Sequence, residues 1–193
     1  MINGNFTYWG PLLYFTKISN KDVKTLLKNC KKDIKFDARK QLAGIIEDEY
    51  NFNFQVYQEV MAKYIPDFLK AWNVYYNEKI HKIEISNSWV NYMKAGESNP
   101  NHIHTECDLS SVLYLQVPQG IKKENKQYIG TSRGPGMVNF TYGDVRPYNT
   151  IEHSFMPEVG QLFIFPFNLE HSVNSFKSKG ERISLATNFN IIK

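Results

Sequence analysis

A chain of 193 residues is about one domain long and can bury a sizeable core without staples. Its 42% hydrophobic and 22% charged residues are ordinary for a soluble globular protein, and a net charge of +4 is too small to argue for nucleic acid or a membrane surface. Aromatic content is high at 15%, which favours strands and sheet-rich cores.

The opening MINGNFTYWG lacks the charged region and apolar run of a signal peptide, and no apolar run approaches the length of a membrane span. The expectation is a cytoplasmic protein. Cys30 and Cys107 are then reduced thiols, and the N-F-T sequons at Asn5 and Asn139 carry no weight. From Asn20 the period is helical. NKDVKTLLKNCKK places Val23, Leu26, Leu27 and Cys30 on one stripe, with Ser19 or Asn20 able to cap it. FDARKQLAGIIEDEY repeats the spacing through Leu42, Ile45 and Ile46, and residues 53–77 form a third helical region that Pro66 should break or kink.

Near residue 80 the period becomes two. KIEISNSWVNY alternates Ile83, Ile85 and Trp89 with polar neighbours, as a half-buried strand does. LSSVLYLQV, MVNFTY, IEHSFMP, GQLFIFPF and ERISLATNFNII follow, separated by turn material such as SRGPG and MPEVG. Residues 119–136 read as the mobile loop among them. No internal repeat or linker interrupts the chain. The expectation is one domain over 1–193, mainly β, with a helical N-terminal part (1–80) packed on a sandwich or jelly-roll core (81–193).

Five histidines could carry chemistry: His81, His102, His104, His153 and His171. His81 and His153 are read as ordinary exposed or hydrogen-bonded residues. His102 and His104 stand at i and i+2 on an expected strand edge, where side chains share a face with backbones ~6.6 Å apart. Imidazoles leaning inward from there can meet one metal at about 2.0–2.1 Å. His171 comes 67 residues after His104, and Arg182 follows 11 residues later in G-E-R-I-S-L. Arg182 and Ser184 again share a strand face, and a guanidinium beside a hydroxyl is a carboxylate clamp. Taken singly, Arg182 is a surface partner for Glu181 or Glu170; taken with the histidines, it is an anion clamp beside a metal.

The order H-x-H, L-S-S-V-L-Y-L, P-E-V-G-Q-L-F-I-F-P-F-N-L-E-H-S-V and E-R-I-S-L-A-T-N-F-N resembles the Fe(II)/2-oxoglutarate-dependent oxygenases. It resembles in particular short members with H-x-H before a strand like L-S-G-V-Y-Y-L, then G-x-L-x-x-F-P-S-x-L-x-H-x-V and an R-I-S-x-x-x-N ending. The resemblance covers about residues 87–190; its last element is the specific one, and H-x-H is less so. It implies a double-stranded β-helix (jelly roll, cupin-like) with Fe(II) at its open end and His102 and His171 as ligands. Arg182, helped by Ser184, would bind the distal carboxylate of 2-oxoglutarate. Tyr92 and Tyr114 stand where related hydroxylases carry a tyrosine near the co-substrate, although either can equally be a core residue.

The chain departs from the usual set of two histidines and one carboxylate. Two positions after His102 stands His104; two positions after His104 stands Glu106. A strand cannot supply all three, since i to i+4 spans ~13 Å. Agreement with H-x-H members favours His102, His104 and His171, the expectation adopted here; carboxylate chemistry favours His104, Glu106 and His171. The expected enzyme uses Fe(II), O2 and 2-oxoglutarate to hydroxylate an unidentified substrate, releasing succinate and CO2, with no membrane or nucleic-acid partner indicated. Two rival readings are a three-histidine iron dioxygenase that does not use 2-oxoglutarate and a metal-free jelly-roll binding module. The module gives the histidines and Arg182 no joint purpose.

Overall fold

The larger of two antiparallel sheets is buried on both faces, and that fact organises the computed structural model, which describes residues 10–76 and 79–192. Asn5 and the opening segment lie outside the described residues. The strands are β1 (Tyr14–Lys17), β2 (Glu49–Asn51), β3 (Lys82–Met93), β4 (Asn99–His102), β5 (Leu109–Gln116), β6 (Val138–Thr141), β7 (Glu152–Phe155), β8 (Gln161–Pro166), β9 (Glu170–Val173) and β10 (Arg182–Ile192). Six form a sheet in the order β1-β8-β5-β10-β3-β2, and four form a second in the order β4-β9-β6-β7. The result is a mainly β, jelly-roll-like sandwich.

One face of the large sheet packs on helices. Val90, Tyr92, Leu113, Leu162, Ile164, Ile183 and Leu185 join Val23 and Leu26 of α1 (Asn20–Asn29), Tyr57 and Met61 of α2 (Phe54–Met61) and Phe68 of α3 (Ile65–Tyr76) in one cluster. The other face meets the small sheet, where Tyr114, Phe163 and Phe165 pack with Val138, Phe140 and Leu169. Two apolar faces explain why QLFIFP and LSSVLYLQ read as near-continuous apolar runs rather than alternating ones. Gly160 turns the chain into β8 with φ of +83°, and a Cβ there would come within 2.9 Å of the Ile18 carbonyl oxygen, so glycine is required. No helix among the described residues is long and apolar enough to cross a membrane.

Ser19 is the N-cap of α1, its Oγ accepting the Asp22 N–H at 3.2 Å. The front third is otherwise less helical than its periodicity suggests. FDARKQLAGIIEDEY starts at the end of one short 3-10 turn (Ile34–Phe36), forms a second (Arg39–Gln41) and then runs into β2. Ile45 and Ile46 have opposite fates, 66% and 7% exposed, because the chain there is extended and the Ile45 N–H bonds the Ser98 carbonyl instead of a helical one. The described part of 53–77 holds two helices, α2 and α3, rather than one kinked helix. Pro66 sits in the first turn of α3, where its missing N–H has no intrahelical partner to lose. The segment 119–136 is not all loop, since α4 (Gly120–Gln127) occupies its first half and buries Ile121. Asn139 is buried, its amide bonded to Ser172 and Asn174.

Leu26 is fully buried in the cluster that ties the helices to the sheet. Leu26→Ala should therefore cost about 2–5 kcal/mol in a single cooperative urea transition. A change below 0.5 kcal/mol, or a separate early transition for the helices, would show that the helical layer is not part of this core.

Candidate active site

β4 and β9 pair with His102 directly opposite His171. His104 lies beyond the end of β4, its N–H donating to the Phe167 carbonyl at 2.9 Å, so the turn after β8 fixes where its ring sits. The two histidines of H-x-H thus converge through a strand end and a loop, not through the alternation of one continuous strand. The ligand atoms of His102, His104 and His171 all lie within 4.8 Å of one another. His104 Nε2 and His171 Nε2 are 3.2 Å apart. Two nitrogens on neighbouring corners around an ion ~2.1 Å away would stand ~3.0 Å apart, so the donor set fits one small divalent metal.

Tautomers follow from the backbone. His102 Nδ1 donates to the Pro100 carbonyl at 2.8 Å and His171 Nδ1 to the Leu169 carbonyl at 2.9 Å, which leaves both Nε2 lone pairs for a metal. Burial pushes His104 down to about 3, with the charge of His102 adding to it. Burial likewise holds His171 well below its ordinary value and lowers His102. All three rings are therefore biased to the neutral form, the one that can ligate a metal. Glu106 is exposed, with a left-handed φ of +59°, and stands outside the cluster. His153 is exposed on β7 and also stands apart from it.

The same cavity reaches Arg182. Its lining includes the three histidines, Trp89, Asn91, Met93, Asn99, Tyr114, Phe165, Arg182 and Ser184. Arg182 is 2% exposed and no carboxylate among the described residues pairs with it. Nη1 donates to the Gly136 carbonyl at 3.2 Å, Nη2 points at the Met93 sulfur, and Nε has no partner. Gly136 holds φ of +73°, and a Cβ there would strike Ile121, so the loop carrying that carbonyl needs glycine. The guanidinium lies 5.8 Å from the rings of Tyr114 and Phe176. Tyr114 Oη is buried with no partner, and burial pushes that hydroxyl up while Arg182 opposes the shift. A buried cation without an anion costs several kcal/mol unless a ligand supplies one.

Of the residues named from sequence, His102, His104, His171, Arg182, Ser184 and Tyr114 share this cavity. Tyr92 does not. It alternates with Asn91 and Met93 on β3 and faces the helices, edge-on to Tyr50 with Lys32 Nζ 4.7 Å above its ring. Asn91 and Asn99 were not anticipated, yet both line the cavity with Oδ1 buried and unpartnered. Asn91 was legible: in WVNYM it is the polar residue at an inward position between Trp89 and Met93.

A family model described as "Putative 2OG-Fe(II) oxygenase" matches residues 87–188, just over half of the chain, and the chain belongs to that family. It is an oxidoreductase of the kind that uses Fe(II) and 2-oxoglutarate. No curated protein matches it in sequence. Among solved structures it is similar to a prolyl-4-hydroxylase from Pseudomonas putida, with a TM-score of 0.63 and 15% identity over 94% of this chain and 93% of that one. It is also similar to a viral collagen prolyl hydroxylase from Paramecium Bursaria Chlorella virus-1, solved with 2OG, with a TM-score of 0.58 and 15% identity over 92% and 94% of the two chains. At such identities the likeness is one of fold.

Replacing His171 with Ala should abolish binding of Fe(II) or Mn(II), whereas His153→Ala and Glu106→Gln should leave it nearly unchanged in equilibrium dialysis. Loss of metal from Glu106→Gln with retention by His102→Ala would move the ligand set to His104, Glu106 and His171.

Proposed function

We propose that His102, His104 and His171 hold the iron and that Arg182, with Tyr114 and Ser184, takes the distal carboxylate of 2-oxoglutarate. The enzyme then hydroxylates its substrate, one oxygen atom entering the substrate and the other entering the succinate left after loss of CO2. Bound iron supplies the activation of O2 that this chemistry needs. The protein's own groups bind, orient and dry the site. Neutral Nε2 lone pairs fix the metal, backbone carbonyls lock two of the three rings, and Phe165, Trp89 and Val112 form an apolar wall.

The single observation that carries this reading is Arg182. A guanidinium 2% exposed, with a free Nε and an unpartnered tyrosine hydroxyl beside it, is matched to an acceptor anion that enters the cavity. It lines the same cavity as the three histidines, an arrangement that suits a two-headed acid with one end on the metal and one on the clamp. Two of the similar folds carry hydroxylases by name, which supports hydroxylation as the reaction type. The helices share a core cluster with the large sheet, which supports one functional domain over the whole chain.

Arg182→Ala should keep its metal and lose 2-oxoglutarate affinity by on the order of 2–4 kcal/mol, about 30- to 1000-fold, read from the 2-oxoglutarate dependence of succinate formation. An unchanged dependence in a folded Arg182→Ala protein would remove the case for this clamp.

A further inference from the structure

Three neutral histidines leave the metal without the carboxylate that usually lowers its charge. A divalent ion and the Arg182 guanidinium would then place three positive charges in one cavity, against two negative charges on 2-oxoglutarate. A buried site with that imbalance calls for an anion close by. Glu49 is a buried carboxylate on the sheet face that lines the cavity, just beyond the lining residues themselves. It is 1% exposed, and its Oε2 is buried with no hydrogen-bond partner among the described residues.

Strand register places it on the face of the sheet that lines the cavity. Glu49 is opposite Asn91, Asn91 opposite Ser184, and Ser184 opposite Tyr114, so the four form one lateral row across β2, β3, β10 and β5. Two strand spacings, ~10 Å, separate Glu49 from Ser184 along that row. Gly44 lies over the carboxylate, where a Cβ would come within 2.5 Å of Oε1. The charged groups facing Glu49 do not neutralise it. Glu97 repels it, and the nearby Arg39 is committed to Asp37 through Nε at 2.9 Å and Nη2 at 2.7 Å.

We infer that Glu49 supplies, from outside the metal's ligand shell, the negative charge that the three-histidine set lacks, and so acts as a positioning residue for metal binding. The inference rests on the ligand set proposed above. In the metal-free protein, burial, with the Glu97 charge adding to it, pushes the Glu49 carboxyl up to about 7. Its folded value is raised above the ordinary carboxylate value, so the cost of burying it grows as pH rises from about 4.5 to 7 and is full above that. A dication in the cavity reverses the balance, holding Glu49 ionised and releasing its proton. At an effective dielectric near 20, a unit charge ~10 to 20 Å from a dication changes affinity by on the order of tenfold to a few hundredfold before salt screens it.

The test is calorimetric titration of Mn(II), without 2-oxoglutarate, into wild type and Glu49→Gln at pH 7, in buffers of different ionisation enthalpy. Wild type should release about half a proton per metal more than Glu49→Gln, the difference between the two proteins reading Glu49 alone. At pH 8 the variant should bind Mn(II) on the order of tenfold more weakly. Equal proton release and equal affinity in the two proteins overturn the inference alone. No Mn(II) binding by wild type overturns the ligand set, and the inference with it. The excess release of wild type over Glu49→Gln should be largest between about pH 6 and 6.5, midway between the carboxyl's values without and with metal. No excess at any pH between about 6 and 8 contradicts the role of Glu49.

Discussion

Strand β10 is buried along eight consecutive residues, and everything functional depends on how it divides its two faces. Ile183 and Leu185 point to the helices, while Arg182, Ser184 and Ala186 point between the sheets. A slip of one residue would send the guanidinium into the helical core and an isoleucine into the cavity. Pairing with β3 and β5 on either side prevents that slip, and the helices cover the apolar face so that it stays apolar. The front third therefore serves the site without contributing a ligand from α1, α2 or α3.

The cavity is electrostatically unfinished. Its histidines are neutral, its arginine is a cation with no anion, and its tyrosine and asparagine oxygens lack partners. Each of these costs stability in a closed protein interior. Ligands that complete the set would recover that cost on binding, as the proposed metal and 2-oxo acid would. Burial and affinity come from the same packing. The buried carboxylate of Glu49, one strand beyond Asn91, fits the same pattern of groups held at a cost for what they bind.

Much of the site could be read from spacing. R-x-S on an alternating strand put Arg182 and Ser184 on one face, and H-x-H with a distant histidine, chosen over Glu106 by resemblance, named the three histidines that cluster. The alternation of β3 could have decided between the two tyrosine candidates. Asn91 and Met93 share the cavity face, so Tyr92 between them had to face the helices, whereas Tyr114 faces inward from β5. What stayed hidden depends on tertiary pairing. The stretch around Leu42, Ile45 and Ile46 has helical spacing, but a backbone bond from Ile45 to Ser98 holds it extended. No local pattern announces β1 and β2, four and three residues long, because their partners are far away in sequence. The convergence of His104 on His171 likewise rests on a bond to Phe167 that no local spacing encodes.

The proposed placement of the metal and the 2-oxo acid in one cavity would make their binding mutually dependent, each tightening the other by the same factor. The direct measurement is the dissociation constant of 2-oxoglutarate for the wild-type protein, under exclusion of oxygen, with and without saturating Mn(II). Tighter 2-oxoglutarate binding in the presence of Mn(II), with an equal gain in Mn(II) affinity when 2-oxoglutarate is present, is the expected result. Metal and acid that each bind but do not influence one another would contradict a shared site built from His102, His104, His171 and Arg182.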